Sequence, residues 1–209
     1  MQSNNFSVGG DTSTKQEVSS SYDYYLSDVI THDHNTLSLI KQLKTAHPND
    51  IVHIHINTPG GDMYTTMQII NSIRACPATV ATHADGQVAS AGSLIFFSGD
   101  MMSVAELSTF LIHNGSGGIG GKMSDMHLQS DDLKATCYKI FHSVYEPFLT
   151  SDEVDKVLSG VDIYLDSEQV IGRINKVCDV VQEDNNNKNE NNDEQTKRPA
   201  KTKRVGKKK

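Results

Sequence analysis

No apolar run in this 209-residue sequence is longer than four residues, Leu94 to Phe97. A bilayer span needs about 20, so no transmembrane helix is expected. The first eighteen residues, Met1 to Val18, hold no apolar block, and no secretory leader is expected. Cysteine is scarce: Cys76, Cys137 and Cys178 are widely spaced and form no C-x-x-C pair. An odd, scattered set argues against a disulfide framework or a zinc knuckle and favours a reducing, cytoplasmic setting. Basic residues are also short where the core lies. Residues 1–182 carry 10 basic against 21 acidic side chains, a poor surface for phosphate backbones.

What is present suits one domain. At ~150 residues per domain the length allows one core with tails, and 36% of the residues are hydrophobic. Residues 1–20 are rich in Ser, Asn, Thr and Gly and are expected to be a disordered segment. The body is placed at 21–182. From Glu183 the sequence is Asn-rich, and Lys197 to Lys209 carries eight positive charges with no acid. Segment 183–209 therefore reads as a disordered tail, serving either as a solvated end or as a weak polyanion tether or partner-docking arm.

Within the body, strand and helix signals alternate. Tyr22 to Ile30 is a candidate first strand with its turn. Leu37, Ile40 and Leu43 repeat at helical spacing before Pro48. Ile51 to Ile56 alternates strictly, with Val52, Ile54 and Ile56 on one face and His53 and His55 on the other. The breakers Asn57-Thr58-Pro59-Gly60-Gly61 follow, then Met63, Met67, Ile70 and Ile73 at a 3.6 period. Ala78 to Thr82 reads as a strand, Asp85-Gly86 as a turn and Val88 to Phe97 as a buried helix. Thr109 to Ile112 is a short strand leading to His113, and Asn114 to Gly121 is a glycine-rich loop. Lys122 to about Phe148 is the longest helical pattern, its stripe formed by Leu133, Cys137, Ile140, Phe141 and Val144. Thr150 and Ser151 can cap a further helix. Ile163 to Leu165 and Ile174 to Val181 are strand candidates around a helix opened by Ser167. The alternation predicts an α/β layered fold with largely parallel pairing.

Three features carry chemistry. The Pro59-Gly60-Gly61 turn lets a backbone N–H face a ligand closely, beside a helix start that favours negative charge. Ser90, in Gly86-Gln87-Val88-Ala89-Ser90-Ala91-Gly92, sits at a strand-to-helix elbow among small residues. His113 ends an apolar strand beside the glycine loop, placed to act as a general base. Each has a bland alternative: a tight turn, a packing seam, a histidine satisfied by carbonyls. Val88 stands where the G-x-S-x-G elbow of α/β-hydrolases needs glycine, so that fold is disfavoured. His53 and His55, and likewise His32 and His34, are i, i+2 pairs without an acidic or cysteine cluster nearby, so no metal site is expected.

Four pieces in order give the features a common meaning. Ile56-Asn57-Thr58-Pro59-Gly60-Gly61, Gly86-Gln87-Val88-Ala89-Ser90, Phe110-Leu111-Ile112-His113 with Gly117-Gly118, and Asp162-Ile163-Tyr164-Leu165-Asp166-Ser167-Glu168 resemble the proteolytic subunit of the Clp protease and its phage-borne relatives. The resemblance spans about Tyr24 to Val177. It implies an α/β, crotonase-like spiral of β-α units with a protruding handle helix, here 122–148, packed between stacked rings of a homo-oligomer. It implies a serine endopeptidase with nucleophile Ser90, base His113 and orienting Asp162, and oxyanion donors at the N–H of Gly61 and Ala91. Substrate would lie as an added strand along Gly61, Asp62 and Met63 and along Ser116, Gly117 and Gly118. No cofactor and no metal are implied.

This sequence departs from the family in places. Met1 to Ser20 does not resemble the pore-lining loop that contacts an ATP-driven unfoldase, the partner the family implies. Thr58 replaces the usual Ser of the turn, Ala91 stands where Met is common, and the charged tail is extra. These mark a phage-like or divergent member, in which case the compartment is the host cytoplasm. Two other functions keep the same fold: a noncatalytic scaffold or adaptor, and a crotonase-type acyl-CoA enzyme. The triad residue types speak against the first, and the sparse basic residues of the body against the second.

Overall fold

The computed structural model describes residues 19–115 and 121–180. Expectations for the two ends and for Ser116, Gly117 and Gly118 lie outside the described residues. The chain runs β1 (Ser21–Leu26), α1 (His34–Thr45), β2 (Ile51–Thr58), α2 (Met63–Arg74), β3 (Thr79–Ala89), α3 (Ala91–Phe96), β4 (Met101–Val104), β5 (Thr109–Ile112), α4 (Met123–Tyr145), α5 (Ser151–Leu158) and β6 (Ile163–Asp166). A final helix, α6, occupies 167–180.

The six strands form one sheet in the order β1-β2-β3-β5-β6, with β4 also on β3. Pairing is parallel except between β5 and β6. The long β3 accepts β4 along Ala81–Ala84 and β5 along Gln87–Ala89, end to end on one edge. The strict alternation of β2 is realised in its packing. Val52, Ile54 and Ile56 are fully buried under the apolar faces of α1 and α2, which bring Leu39, Leu43, Ile69 and Ile73. Each such side chain stabilises by roughly 1.5–3 kcal/mol. Helix starts follow local chemistry: Asp33 accepts the Thr36 N–H and Asp62 the Thr65 N–H, while Thr150 and Glu153 close a reciprocal capping box.

The opposite face of the sheet is polar. His53 Nδ1 meets His83 Nε2 at 2.8 Å, and His55 lies 2.8 Å from Asp85 and 3.3 Å from Asp23. The imidazole of His55 stacks between Tyr25 and His83. Burial and the two neighbouring imidazoles lower the pKa of His83. The i, i+2 histidines are therefore engaged with other strands, not with each other. Among the described residues no three of His, Cys, Asp and Glu are grouped to hold a metal ion.

Three sequence expectations are corrected, those for Asp85-Gly86, Val88 and residues 174–180. Asp85-Gly86 is not a turn but part of β3, where the register with β2 slips between Ile56 and Thr58. The strand survives the irregularity because Asn57 Oδ1 accepts the Gln87 N–H at 2.9 Å in place of a ladder partner. Val88 belongs to β3, and the buried helix begins only at Ala91. Strand β1 ends at Leu26, with Ile30 adding a single bridge to Gly61. Residues 174–180 are helical, not a strand. Val170, Ile174 and Val177 recur at i, i+4 and i+7, so the helical face, with Val170 fully buried and Ile174 packed on the core, outweighs the β-branched composition. Strand β4 was not expected, being a four-residue edge segment without alternation.

Candidate active site

Ser90 is the only described non-glycine residue with positive φ, at φ 55° and ψ −121°. A backbone in this region costs of order 1–3 kcal/mol and persists only where neighbours hold it. Here Ser90 N–H donates to Leu111 O at 2.8 Å, and Ser90 O accepts the Ser93 N–H at 3.0 Å. The strand-to-helix elbow is thus pinned to β5 on one side and to α3 on the other.

The glycine turn lies against this elbow. Gly60 has φ 103°, and a Cβ there would sit 2.6 Å from Ser90 Cβ and 3.0 Å from Ala91 N. At Gly61 a Cβ would collide with the Ile30 backbone. Ile30 N–H donates to Gly60 O at 2.8 Å, and Asp62 N–H donates to Ile30 O at 2.8 Å. That parallel bridge turns the N–H of Gly61 itself away from Ile30. Thr58 locks the turn from beneath. Its buried hydroxyl donates to Asp28 O at 2.6 Å and accepts the Gly60 N–H at 3.1 Å. The hydroxyl is what the turn uses, so threonine serves where serine is usual.

Gly61, Asp62, Met63, Ser90, Ala91 and His113 line one cavity of about 820 Å³. As the first residue of α3, Ala91 has no intrahelical acceptor for its N–H. The Asp62 carboxyl is held below the usual range, chiefly by the Thr65 hydroxyl and then by the Thr65 N–H.

Asp162 does not line the cavity and is exposed. The antiparallel ladder ends at Ile112 opposite Ile163, and one further step of that register sets His113 across from Asp162. No hydrogen bond joins Ser90 to His113 or His113 to Asp162 among the described residues.

The sequence reading missed the far wall. Helix α4 contributes Ser130, Leu133, Lys134, Cys137 and Tyr138, which share one helical face. Leu133 and Cys137 belong to the apolar stripe expected from sequence, and i, i+4 spacing alone does not show that this stripe also faces a cavity. Burial raises the Cys137 thiol pKa. Asn114 also lines the cavity, its amide donating to Leu158 O at 2.9 Å.

A strained serine elbow, the glycine turn packed against it and a histidine thus share one cavity at the ends of parallel strands of an α/β sheet. Residues 16–180 match the family model described as Clp protease. The chain is 29% identical over 150 residues to the ATP-dependent Clp protease proteolytic subunit of Deinococcus radiodurans, covering 68% of this chain and 71% of that one. It is 31% identical over 149 residues to ATP-dependent Clp protease proteolytic subunit 2 of Chlamydia pneumoniae, covering 68% and 72%. The corresponding subunit 2 of Chlamydia trachomatis serovar D is 31% identical over 147 residues, covering 68% and 71%. The chain belongs to the Clp protease family and is a serine protease of the Clp type. No helix among the described residues is long and apolar enough to cross a membrane.

Proposed function

We propose that this chain is an endopeptidase that cleaves peptide bonds through Ser90, His113 and Asp162. The observation that carries the reading is the placement of Ser90 on a strained elbow beside Gly61, Ala91 and His113 on one cavity. Neutral His113 takes the Ser90 proton as Oγ attacks the peptide carbonyl carbon. Asp162, across the extended ladder, orients the imidazole and stabilises its protonated form. The carbonyl oxygen becomes an oxyanion bound by the N–H groups of Gly61 and Ala91, where one donor is typically worth about 3 kcal/mol. His113 then protonates the leaving amine. Water, activated by the same imidazole, hydrolyses the acyl-enzyme and regenerates Ser90. The chain's own groups supply each proton transfer.

Substrate lies extended between Gly61–Met63 and Ser116–Gly118, so backbone hydrogen bonds dominate its recognition. The subunits assemble as stacked homo-oligomeric rings enclosing the sites. The relatives are named as ATP-dependent, and the partner proposed for this chain is an ATP-driven unfoldase. Hydrolysis of a fluorogenic peptide tests the reading. Wild type should turn over, while Ser90→Ala and His113→Ala should each lose at least about a thousandfold in kcat. Equal turnover by wild type and Ser90→Ala would overturn it.

A further inference from the structure

Beneath the elbow, a buried hydroxyl relay ends on the peptide that follows Ser90. Ser93 Oγ lies 2.7 Å from Ser90 O, and Tyr145 Oη lies 2.8 Å from Ser93 Oγ. Ser93 is fully buried and Tyr145 is 1% exposed. The protons fix the direction of the relay. A serine hydroxyl has one hydrogen. If Ser93 gave it to Tyr145, the tyrosine would have no acceptor and Ser90 O would lose its shortest contact. Both hydrogens are used when Tyr145 donates to Ser93 and Ser93 donates to Ser90 O at 2.7 Å, its other acceptor, Leu111 O, being farther at 3.5 Å and already taking the Ser90 N–H. Burial raises the phenol pKa, which keeps Tyr145 a donor.

This relay bears on the site because the peptide is trans and planar. The described chain has no cis peptide bond, so the C=O of Ser90 and the N–H of Ala91 point in opposite directions. A carbonyl drawn inward by Ser93 and Tyr145 turns the Ala91 amide outward, on the side where Ala91 lines the cavity. The Ser90 carbonyl also accepts N–H bonds from Ser93 at 3.0 Å and Leu94 at 3.4 Å. The hydroxyl contact is shorter than either, and it is the one that reaches another element. Tyr145 is the last residue of α4, whose earlier turns form the far wall of the same cavity.

We propose that Tyr145 and Ser93 are positioning residues for peptide hydrolysis, holding the Ser90–Ala91 peptide so that the Ala91 N–H faces the oxyanion. The proposal rests on the serine-peptidase reading above. Neither residue touches substrate; both act through the amide.

The test uses the full-length protein, a fluorogenic peptide and a fluorophosphonate probe. Tyr145→Phe and Ser93→Ala should each lower kcat about five- to tenfold, as for loss of one hydrogen bond. Their KM should stay within about twofold, since the loss falls on transition-state binding. The double variant should be no slower than the slower single, because both changes break one relay. The rate of phosphonylation should fall in parallel. If Ser93→Ala does not fold, Tyr145→Phe carries the test alone, since it removes one oxygen from an otherwise unchanged ring. Unchanged kcat and phosphonylation with only a lower melting temperature would overturn the positioning role and leave the peptidase reading intact. Losses that multiply in the double variant would also overturn the relay. A wild-type protein that neither hydrolyses peptide nor takes the label would overturn the peptidase reading and this proposal with it.

Discussion

Thr58 shows how one hydroxyl can hold a site together. It is buried, and it bonds two backbone groups, Asp28 O and Gly60 N–H, that otherwise belong to separate segments. A buried backbone group left without its partner costs about 1–3 kcal/mol. Thr58→Val removes the hydroxyl at nearly constant volume, so it should lower stability by about that amount. Thr58→Ser keeps the hydroxyl and loses only a methyl group, and should stay within about 1.5 kcal/mol of wild type. Chemical denaturation of the two variants checks this, and equal losses would show that the methyl, not the hydroxyl, is what the turn needs. The residue scale was partly legible. The Pro59-Gly60-Gly61 turn and the Ala89-Ser90-Ala91-Gly92 elbow could be named from sequence, but their contact could not. What joins them is a close approach of Gly60 to Ser90 and Ala91 across about thirty residues of chain. Ser93 and Tyr145 were invisible for the same reason: their pairing spans 52 positions.

Among the elements, α5 and α6 are tied by one ion pair. Arg173 on α6 grips Glu153 with two nitrogens, at 3.0 and 2.7 Å, while Glu153 also accepts the Thr150 N–H at 2.9 Å. The guanidinium hydrogen bonds, first of all, pull the Glu153 carboxyl down to about 2 from 4.5. The pKa is depressed in the folded state, so the contribution is complete above the unfolded value and disappears as pH falls through the folded one. The pair is partly exposed, which leaves on the order of 1–2 kcal/mol after screening. Glu153→Gln should therefore melt lower at pH 7, and its gap to wild type should close between about pH 4.5 and 2. Melting curves across that range check it, and a gap independent of pH would contradict it. Element types were readable where period and length agreed, as in β2, α2 and α4. They failed where a local signal had a distant answer. Asp85-Gly86 reads as a turn until Asn57 is seen filling the irregularity, and 174–180 reads as a strand until its buried stripe is counted around a helix.

At the scale of the whole molecule, the fold gathers onto one cavity the turn after β2, the elbow between β3 and α3, the residues that follow β5 and the middle of α4. Parallel strands β2, β3 and β5 all end toward that cavity, which is how Gly61, Ser90 and His113 come to share it although 52 residues separate the first from the last. The α/β class follows from the alternation of periods alone. The order in which β5 follows β3 in the sheet does not, because β4 is too short to announce itself and shares the same edge. The central claim is that Ser90 is the nucleophile, and mapping a fluorophosphonate adduct by peptide mass spectrometry tests it most directly. The account predicts a single adduct on the peptide containing Ser90, lost in Ser90→Ala and formed much more slowly in His113→Ala. An adduct on another serine, or equal labelling of Ser90→Ala, would contradict it.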